Sequence, residues 1–379
     1  MTGYARTDTS LIGHWWWTVD RWTIFALAAI IAFGAVMLLA ASPPVAERIG
    51  LDGLHFVRRQ IIILPAAIAL IFVVSLQTPR MVRRIALLVF AGALVLVAMT
   101  FVVGAEIKGA RRWIAFAGFS LQPSEFVKPS FAVLAAWLFA QQKAKPGFPG
   151  NLIAIVLGLI VVGLLARQPD LGMAVVVAVV WFVQFYLAGL PLIWVVVLGI
   201  AGITALGGAY VFLPHVASRI DRFIDPSTGD SYQIDRSIEA FTNGGLFGRG
   251  PGEGTVKGWL PDAHADFVFA VAGEELGLIA CLAIVALFAV VVMRSVLRLL
   301  NEQSLFVVLA AGGLVTQLGI QALINMASSL HLMPTKGMTL PFISYGGSSL
   351  LALAIGMGML LALTRRGARL QLPRREWRL

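Results

Sequence analysis

The chain has 379 residues, of which 59% are hydrophobic and only 13% charged. A soluble protein of this size would carry roughly twice that charged fraction, and a mean hydropathy of +0.88 excludes an ordinary soluble domain. The net charge of +10 could suggest nucleic acid, but the basic residues cluster in segments that flank apolar runs, which is the pattern of membrane topology and not of a nucleic-acid-binding face.

In chain order, the first apolar run extends from about Trp22 to Ala41, long enough to cross the roughly 30 Å hydrocarbon core. Trp15, Trp16, Trp17 and Trp22 suit the headgroup level. Ser42-Pro43-Pro44 does not resemble a small-x-small cleavage site, so the run reads as the first spanning helix, ending there. Further spans are predicted near 59–78, 83–104, 124–141, 151–167, 170–187, 190–213, 266–293, 303–328 and 346–364. The predicted fold is an all-α polytopic membrane protein of about ten transmembrane helices. It divides into an N-terminal tail (1–21), one transmembrane domain (22–364) and a basic C-terminal tail (365–379). Spans five and six are separated only by Gln168-Pro169. Such a break cannot face lipid and must be buried in protein or open to a wet cavity.

Arg80, Arg83, Arg84, Lys143, Lys145, Arg294, Arg298 and the tail arginines place both termini in the cytoplasm. The opposite side is also basic (Lys108, Arg111, Arg112, Arg167, Arg219, Arg222, Arg236, Arg249, Lys257, Lys336). A basic outer face points to an anionic ligand. Between spans seven and eight lies a polar segment, 214–265, long enough to be functional, whose interspersed Ile and Phe residues predict that it folds back onto the membrane domain.

Four segments could carry chemistry. Leu260-Pro261-Asp262-Ala263-His264-Ala265-Asp266-Phe267 ends the long loop and opens a helix. Asp266 there is either a helix N-cap or a general base at the mouth of a cavity. Gly244–Gly254 has six glycines in eleven positions, including Gly250, with Arg249 and Glu253 among them. It lacks the GK[ST] ending of a Walker loop, and reads equally as a flexible turn or as backbone amides for a phosphate. In the 109–129 segment, Glu125 and Lys128 stand i, i+3 at a helix start, so they either form a structural ion pair or leave Lys128, with Arg112, to bind a diphosphate while Glu125 holds it in place. Met333–Ser349, with Lys336, Ser344 and Ser348, brackets a short loop with prolines and glycines and reads as a rigid re-entrant connection. His14, His55, His215 and His331 have no metal-ligand spacing, and the single Cys281 has no partner for a disulfide.

At these places the sequence resembles the SEDS family of bacterial cell-wall proteins, which includes FtsW and RodA, over about residues 20–365. The resemblance rests on Arg112-Trp113-Ile114, Gln122-Pro123-Ser124-Glu125 with Lys128, Tyr232-Gln233, Gly244-Gly245 with Gly248 and Gly250, Leu260-Pro261 with His264 and Asp266-Phe267, Glu274-Glu275-Leu276-Gly277, and Ser344-Tyr345-Gly346-Gly347-Ser348. Pro334-Thr335-Lys336-Gly337 and the Gly-Arg-Gly-Pro-Gly-Glu-Gly run are more similar to FtsW than to RodA. Many FtsW sequences carry a basic residue just before the Gln-Pro motif, where this chain has Ser120, so Arg111 or Arg112 would have to substitute.

The resemblance implies a peptidoglycan glycosyltransferase at the inner membrane. It would polymerise lipid II onto a polyprenyl-diphosphate glycan strand, with inversion, on the periplasmic side and at the septum. It implies Asp266 as the essential acid, with Lys128 and Glu125 lining the cavity. Arg112, Gln233, Gly250, Glu253, His264, Lys336, Ser344 and Ser348 are the further candidates for binding substrate. No cofactor is required, although a divalent cation (Mg or Mn) could assist the departing diphosphate. A class B penicillin-binding transpeptidase and other divisome proteins are the implied partners. The competing readings are a lipid II flippase, a RodA-type elongation polymerase, and a scaffold whose polar loop recruits the transpeptidase.

Overall fold

The computed structural model describes residues 10–107, 110–116, 119–189, 191–225, 232–334 and 337–365. Among them are thirteen α-helices. Ten correspond to the predicted spans: α2 (Arg21–Arg48), α3 (His55–Ser75), α4 (Pro79–Val103), α5 (Pro123–Ala144), α6 (Gly150–Arg167), α7 (Leu171–Leu187), α8 (Leu192–Phe212), α11 (Val268–Leu299), α12 (Leu305–Ser329) and α13 (Gly347–Leu363). The other three are α1 (Leu11–Thr18), before the first span, and α9 (Pro214–Ile224) and α10 (Tyr232–Gly244), within the long polar segment. Most spans are apolar along their length. α5 is the exception, because it carries Glu125 and Lys128 in its first turns.

Two local expectations change. α2 does not stop at Ser42 but continues through Pro43 and Pro44 to Arg48. Each proline removes a backbone donor. The compensation is burial of Ala41 and Val45 against Val256, Leu260, Ala263 and Phe267. The chain is also not purely helical. Between α4 and α5 it forms a small antiparallel sheet of β1 (Ala105–Ile107), β2 (Ala110–Phe116) and β3 (Phe119–Leu121), in the order β1-β2-β3. Strand alternation sends Arg111 and Arg112 to opposite faces. Arg111 pairs in the open with Glu106 at 3.3 Å, while Arg112 turns inward.

The bundle centres on α5, α12 and α13, with α3, α4, α7 and α11 around them. Without a hydrophobic force between helices in lipid, close packing depends on small residues. A Cβ at Gly313 would lie 2.3 Å from Gln184 Nε2, and one at Gly358 2.7 Å from Val74 Cβ. Gln184, buried between α5, α7 and α12, donates to the carbonyls of Ala132 (2.7 Å) and Leu309 (3.0 Å). On the side predicted to be cytoplasmic, Asp20 receives Arg294 (3.0 Å) and Arg298 (3.1 Å), which ties the start of α2 to the end of α11. Burial pulls the Asp20 carboxyl upward, but the two guanidiniums prevail and hold it below its ordinary value.

α11 spans 32 residues but is two helical stretches joined at a kink. It breaks at Gly277 (φ 80°, ψ −178°), a conformation that favours glycine. The glycine-rich segment fills the break. Arg249 N and Gly250 N donate to the carbonyls of Glu274 and Glu275, both at 3.0 Å. The amides of Leu278 and Ile279 donate to Gly245 and Leu246 at 2.9 and 3.3 Å. The long polar segment therefore does fold back, with α10 packed on α11.

Candidate active site

One end of the bundle encloses a cavity of about 700 Å³. Its walls come from α3, β2, α5, α9, α10 and α12, the residue that opens α7, the turn before α11 and the segment 337–349. Of the predicted site residues, Asp266, Glu125, Arg112, Gln233, His264 and Ser348 line it.

Asp266 sits in the tight turn before α11. It is not the helix N-cap, because that position falls on Phe267. Asp262, in the left-handed region (φ 52°), offers its carbonyl to the amides of Ala265 and Asp266, both at 2.9 Å. Three further bonds clamp the turn. Asn325 Nδ2 donates to the Asp266 carbonyl at 2.9 Å, Tyr345 N to the His264 carbonyl at 2.9 Å, and Ser344 Oγ to the Ala265 carbonyl. The half-buried carboxylate is thus carried on a backbone held from α12 and from the last loop.

His264 stacks on Phe56 (centroids 4.4 Å apart) and lies 5.3 Å from Tyr345. Burial pushes its imidazole down to about 4, with Asp262 opposing and Arg48 adding to the shift, so the ring is neutral at physiological pH. Burial likewise raises the Tyr345 phenol, against the pull of Arg59, which donates to its hydroxyl. Arg59 and Arg219 also line the cavity.

Arg112, also in the cavity lining, closes the break between α6 and α7. It donates to the carbonyls of Gln168 (3.0 Å) and Pro169, and stands 3.8 Å from Asp170. The interrupted backbone is therefore satisfied by a side chain that also faces the cavity. Burial raises the Asp170 carboxyl above its ordinary value, with Arg112 opposing, and Gln122 Nε2 donates to it at 3.3 Å. Ser348 Oγ accepts from Gln122 N at 3.0 Å and fixes the start of α5 to the start of α13.

Four of the sequence candidates do not line the cavity. Lys128 is not in the lining: its side chain is 1% exposed, paired to Glu125 at 2.8 Å and donating to Gln321 at 3.0 Å, so it meets the site through Glu125 and, by way of Gln321, through Thr339. Ser344 is a clamp on the backbone, receiving Leu340 N at 2.8 Å. Gly250 and Glu253 belong to a segment whose amides do cradle an anion, but the anion is the protein's own. The Glu274 carboxylate receives Thr255 N (2.7 Å), Val256 N (2.8 Å) and Lys257 N (3.1 Å). Glu275 receives Gly252 N at 3.1 Å and pairs with Lys257 Nζ. Lys336 lies outside the described residues.

Conversely, Asp170, Asn325 and Arg59 line the cavity without having been singled out, and Tyr345, quoted only within the Ser344–Ser348 motif, lines it too. Only Asp170 left a signal, as an acid between two apolar runs. Among the described residues no group of three or more carboxylate, imidazole or thiol side chains comes together as a cation site, so no step is derived through a metal.

A bundle of ten spanning helices with a polar, carboxylate- and guanidinium-lined cavity at one end defines a polytopic membrane protein built to handle a charged ligand at the membrane surface. The sequence profile described as "Cell cycle protein", which groups FtsW, RodA and SpoVE, matches residues 21–368, and the chain belongs to that family. It is 45% identical over 365 residues to a Caulobacter vibrioides protein named "Probable peptidoglycan glycosyltransferase FtsW", covering 96% of this chain and 93% of that one. A Trichlorobacter lovleyi protein of the same name is 36% identical over 353 residues (90% and 92% covered). Among solved structures, the fold is similar to a chain reported under "Structural coordination of polymerization and crosslinking by a peptidoglycan synthase complex" (TM-score 0.74, 29% identity, 91% and 97% covered). It is also similar to the rod shape determining protein RodA of Thermus thermophilus (TM-score 0.66, 28% identity, 92% and 97% covered).

Proposed function

We propose that this chain is a peptidoglycan glycosyltransferase of the FtsW type, which polymerises lipid II into β(1→4)-linked glycan strands. The observation that carries the reading is Asp266, a half-buried carboxylate on a clamped turn, facing a cavity that also presents Arg59, Arg112 and Arg219. Those are the two things the reaction needs. The GlcNAc 4-hydroxyl of the acceptor is too weak an acid to ionise alone. Asp266 takes its proton as the new C–O bond forms at the anomeric carbon of the donor, a role worth ~10²–10⁴-fold in rate. The bond from that carbon to the diphosphate oxygen breaks as the new one forms, inverting an α-linked donor to a β product. The polyprenyl diphosphate departs as an anion, which needs positive charge more than a proton, and guanidiniums supply it. One base suffices, because a sugar hydroxyl and not water is the nucleophile.

In this reading both termini are cytoplasmic, the cavity opens to the periplasm, and the protein works at the septum beside a class B penicillin-binding transpeptidase and other divisome proteins. The names of the curated relatives and of the solved complex support it. The test is purified protein in vesicles, with and without its transpeptidase, supplied with fluorescent lipid II. Glycan polymer is expected, and Asp266→Ala should remove it while lipid binding persists. Labelled lipid crossing the bilayer with no polymer ever formed would replace this reading with that of a flippase.

A further inference from the structure

Two buried side chains beside the turn that carries Asp266 each have a polar atom with no hydrogen-bond partner among the described residues. Asn325, on α12, is 2% exposed and lines the cavity. Its Nδ2 donates to two carbonyls, those of Asp266 (2.9 Å) and Met338 (2.5 Å). Both neighbours are acceptors, so the amide can be oriented only one way, with nitrogen toward them. Oδ1 is then the remaining polar atom, and it has no hydrogen-bond partner among the described residues. His264 is 7% exposed and also lines the cavity. Its ring is wedged against Phe56 and Tyr345, and its Nδ1 likewise has no partner. Buried polar atoms are rarely left unmet in a folded protein, and those that are call for a ligand or ordered water.

We propose that Asn325 Oδ1 and the His264 imidazole, which share the cavity with Asp266, form the saccharide subsite that takes the acceptor through its hydroxyl and acetamido groups. The inference rests on the glycosyltransferase reading above and adds to it which part of the substrate each group of lining residues binds. An amide oxygen, a neutral imidazole and a carboxylate attract neutral hydrogen-bond donors and disfavour a phosphate. A sugar bearing hydroxyls and an acetamido N–H offers several such donors, and one of them is the hydroxyl whose proton Asp266 removes. The anionic part of the substrate belongs instead with guanidiniums such as Arg112, also in the cavity lining. Arg59 lies near the saccharide side, but it is engaged with the Tyr345 hydroxyl and helps to fix the rings behind His264. Asn325 has a second duty, since it also holds the backbone of the base.

Two probes separate these groups: the disaccharide-peptide of lipid II released without lipid or phosphate, and inorganic diphosphate. Each is titrated against the purified full-length chain, with unfolding midpoints recorded for every variant. His264→Gln and Asn325→Ala should weaken disaccharide binding about tenfold or more, the loss expected for one or more hydrogen bonds, and leave diphosphate binding unchanged. Arg112→Gln should do the reverse. Because Asn325→Ala also loosens the Asp266 turn, His264→Gln is the deciding variant, and it should raise KM for lipid II more than it lowers kcat. If His264→Gln leaves disaccharide binding and KM untouched, or if both probes weaken together in each variant, the subsite is wrong even though the wild type makes polymer. If the wild type makes no polymer yet the disaccharide still binds and responds to these substitutions, it is the transferase reading that fails and the saccharide site stands.

Discussion

Two acidic segments meet near the start of α11 and are finished in opposite ways. Around Glu274 and Glu275 the charged oxygens are met by backbone amides and by Lys257. A few residues earlier in the chain, the turn from Asp262 to Asp266 has its backbone clamped by hydrogen bonds, yet it sits beside an amide oxygen and an imidazole nitrogen with no partner among the described residues. The saturated segment is architecture. Its carboxylates stand where one of two readings of the glycine run put a ligand's phosphate, and they fix the break in α11. The unsaturated segment is a rigid frame holding polar groups in reserve, which is what a binding site requires. Acidic residues at membrane depth are functional candidates by default, but the satisfaction of their hydrogen bonds decides which kind of function.

The largest expected effect is at the saturated segment. Lys257→Met strands the Glu275 carboxylate, 0% exposed as a side chain, and should destabilise the protein by about 3–5 kcal/mol. Thermal unfolding in detergent reads this. Adding Glu275→Leu should recover much of the loss, and a double variant as unstable as the single one would mean that the pair is not an isolated buried contact.

A smaller effect belongs to His264. Its folded value of about 4 lies below the ordinary imidazole value of 6.5, so between those values the unfolded chain binds the proton more readily. The stability it contributes is complete above pH 6.5 and is lost as the pH falls toward 4. At pH 5 the loss should be about 2 kcal/mol relative to pH 7, at 1.36 kcal/mol per unit. The His264→Gln protein should have a correspondingly shallower fall in unfolding midpoint, and equal slopes in the two proteins would show that the ring is not buried as described. The smallest effect tests the alternation in β2. Arg111, in an exposed pair, should tolerate Ala with a change of about 1 kcal/mol or less and unaltered polymer yield. Arg112→Lys, which loses the fork that spans the Gln168 and Pro169 carbonyls, should raise KM in the same assay.

The sequence carried the spans well, because about twenty apolar residues between charged flanks leave little choice in a bilayer. It carried Asp266, Glu125, Arg112 and His264 through motifs. It did not carry the sheet, whose outer strands are three residues long and too short to show a period. Nor did it carry Asn325, a lone amide in an apolar helix whose meaning depends on a carbonyl 59 residues away. The glycine run was half legible. Its capacity to cradle an anion could be read, but not that the anion arrives from the same chain, although Glu274-Glu275 inside an apolar stretch is costly enough to demand such a partner.

The contrast between the two segments is tested most directly by measuring Asp266→Asn and Glu274→Gln side by side, each for unfolding midpoint and for polymer made per folded molecule. Asp266→Asn should keep the wild-type midpoint and lose polymer by about 10²-fold or more. Glu274→Gln should lower the midpoint, with polymer per folded molecule close to wild type. An Asp266→Asn protein that polymerises normally, or a Glu274→Gln protein that is fully stable yet inactive, would contradict the assignment of catalysis to the first segment and architecture to the second.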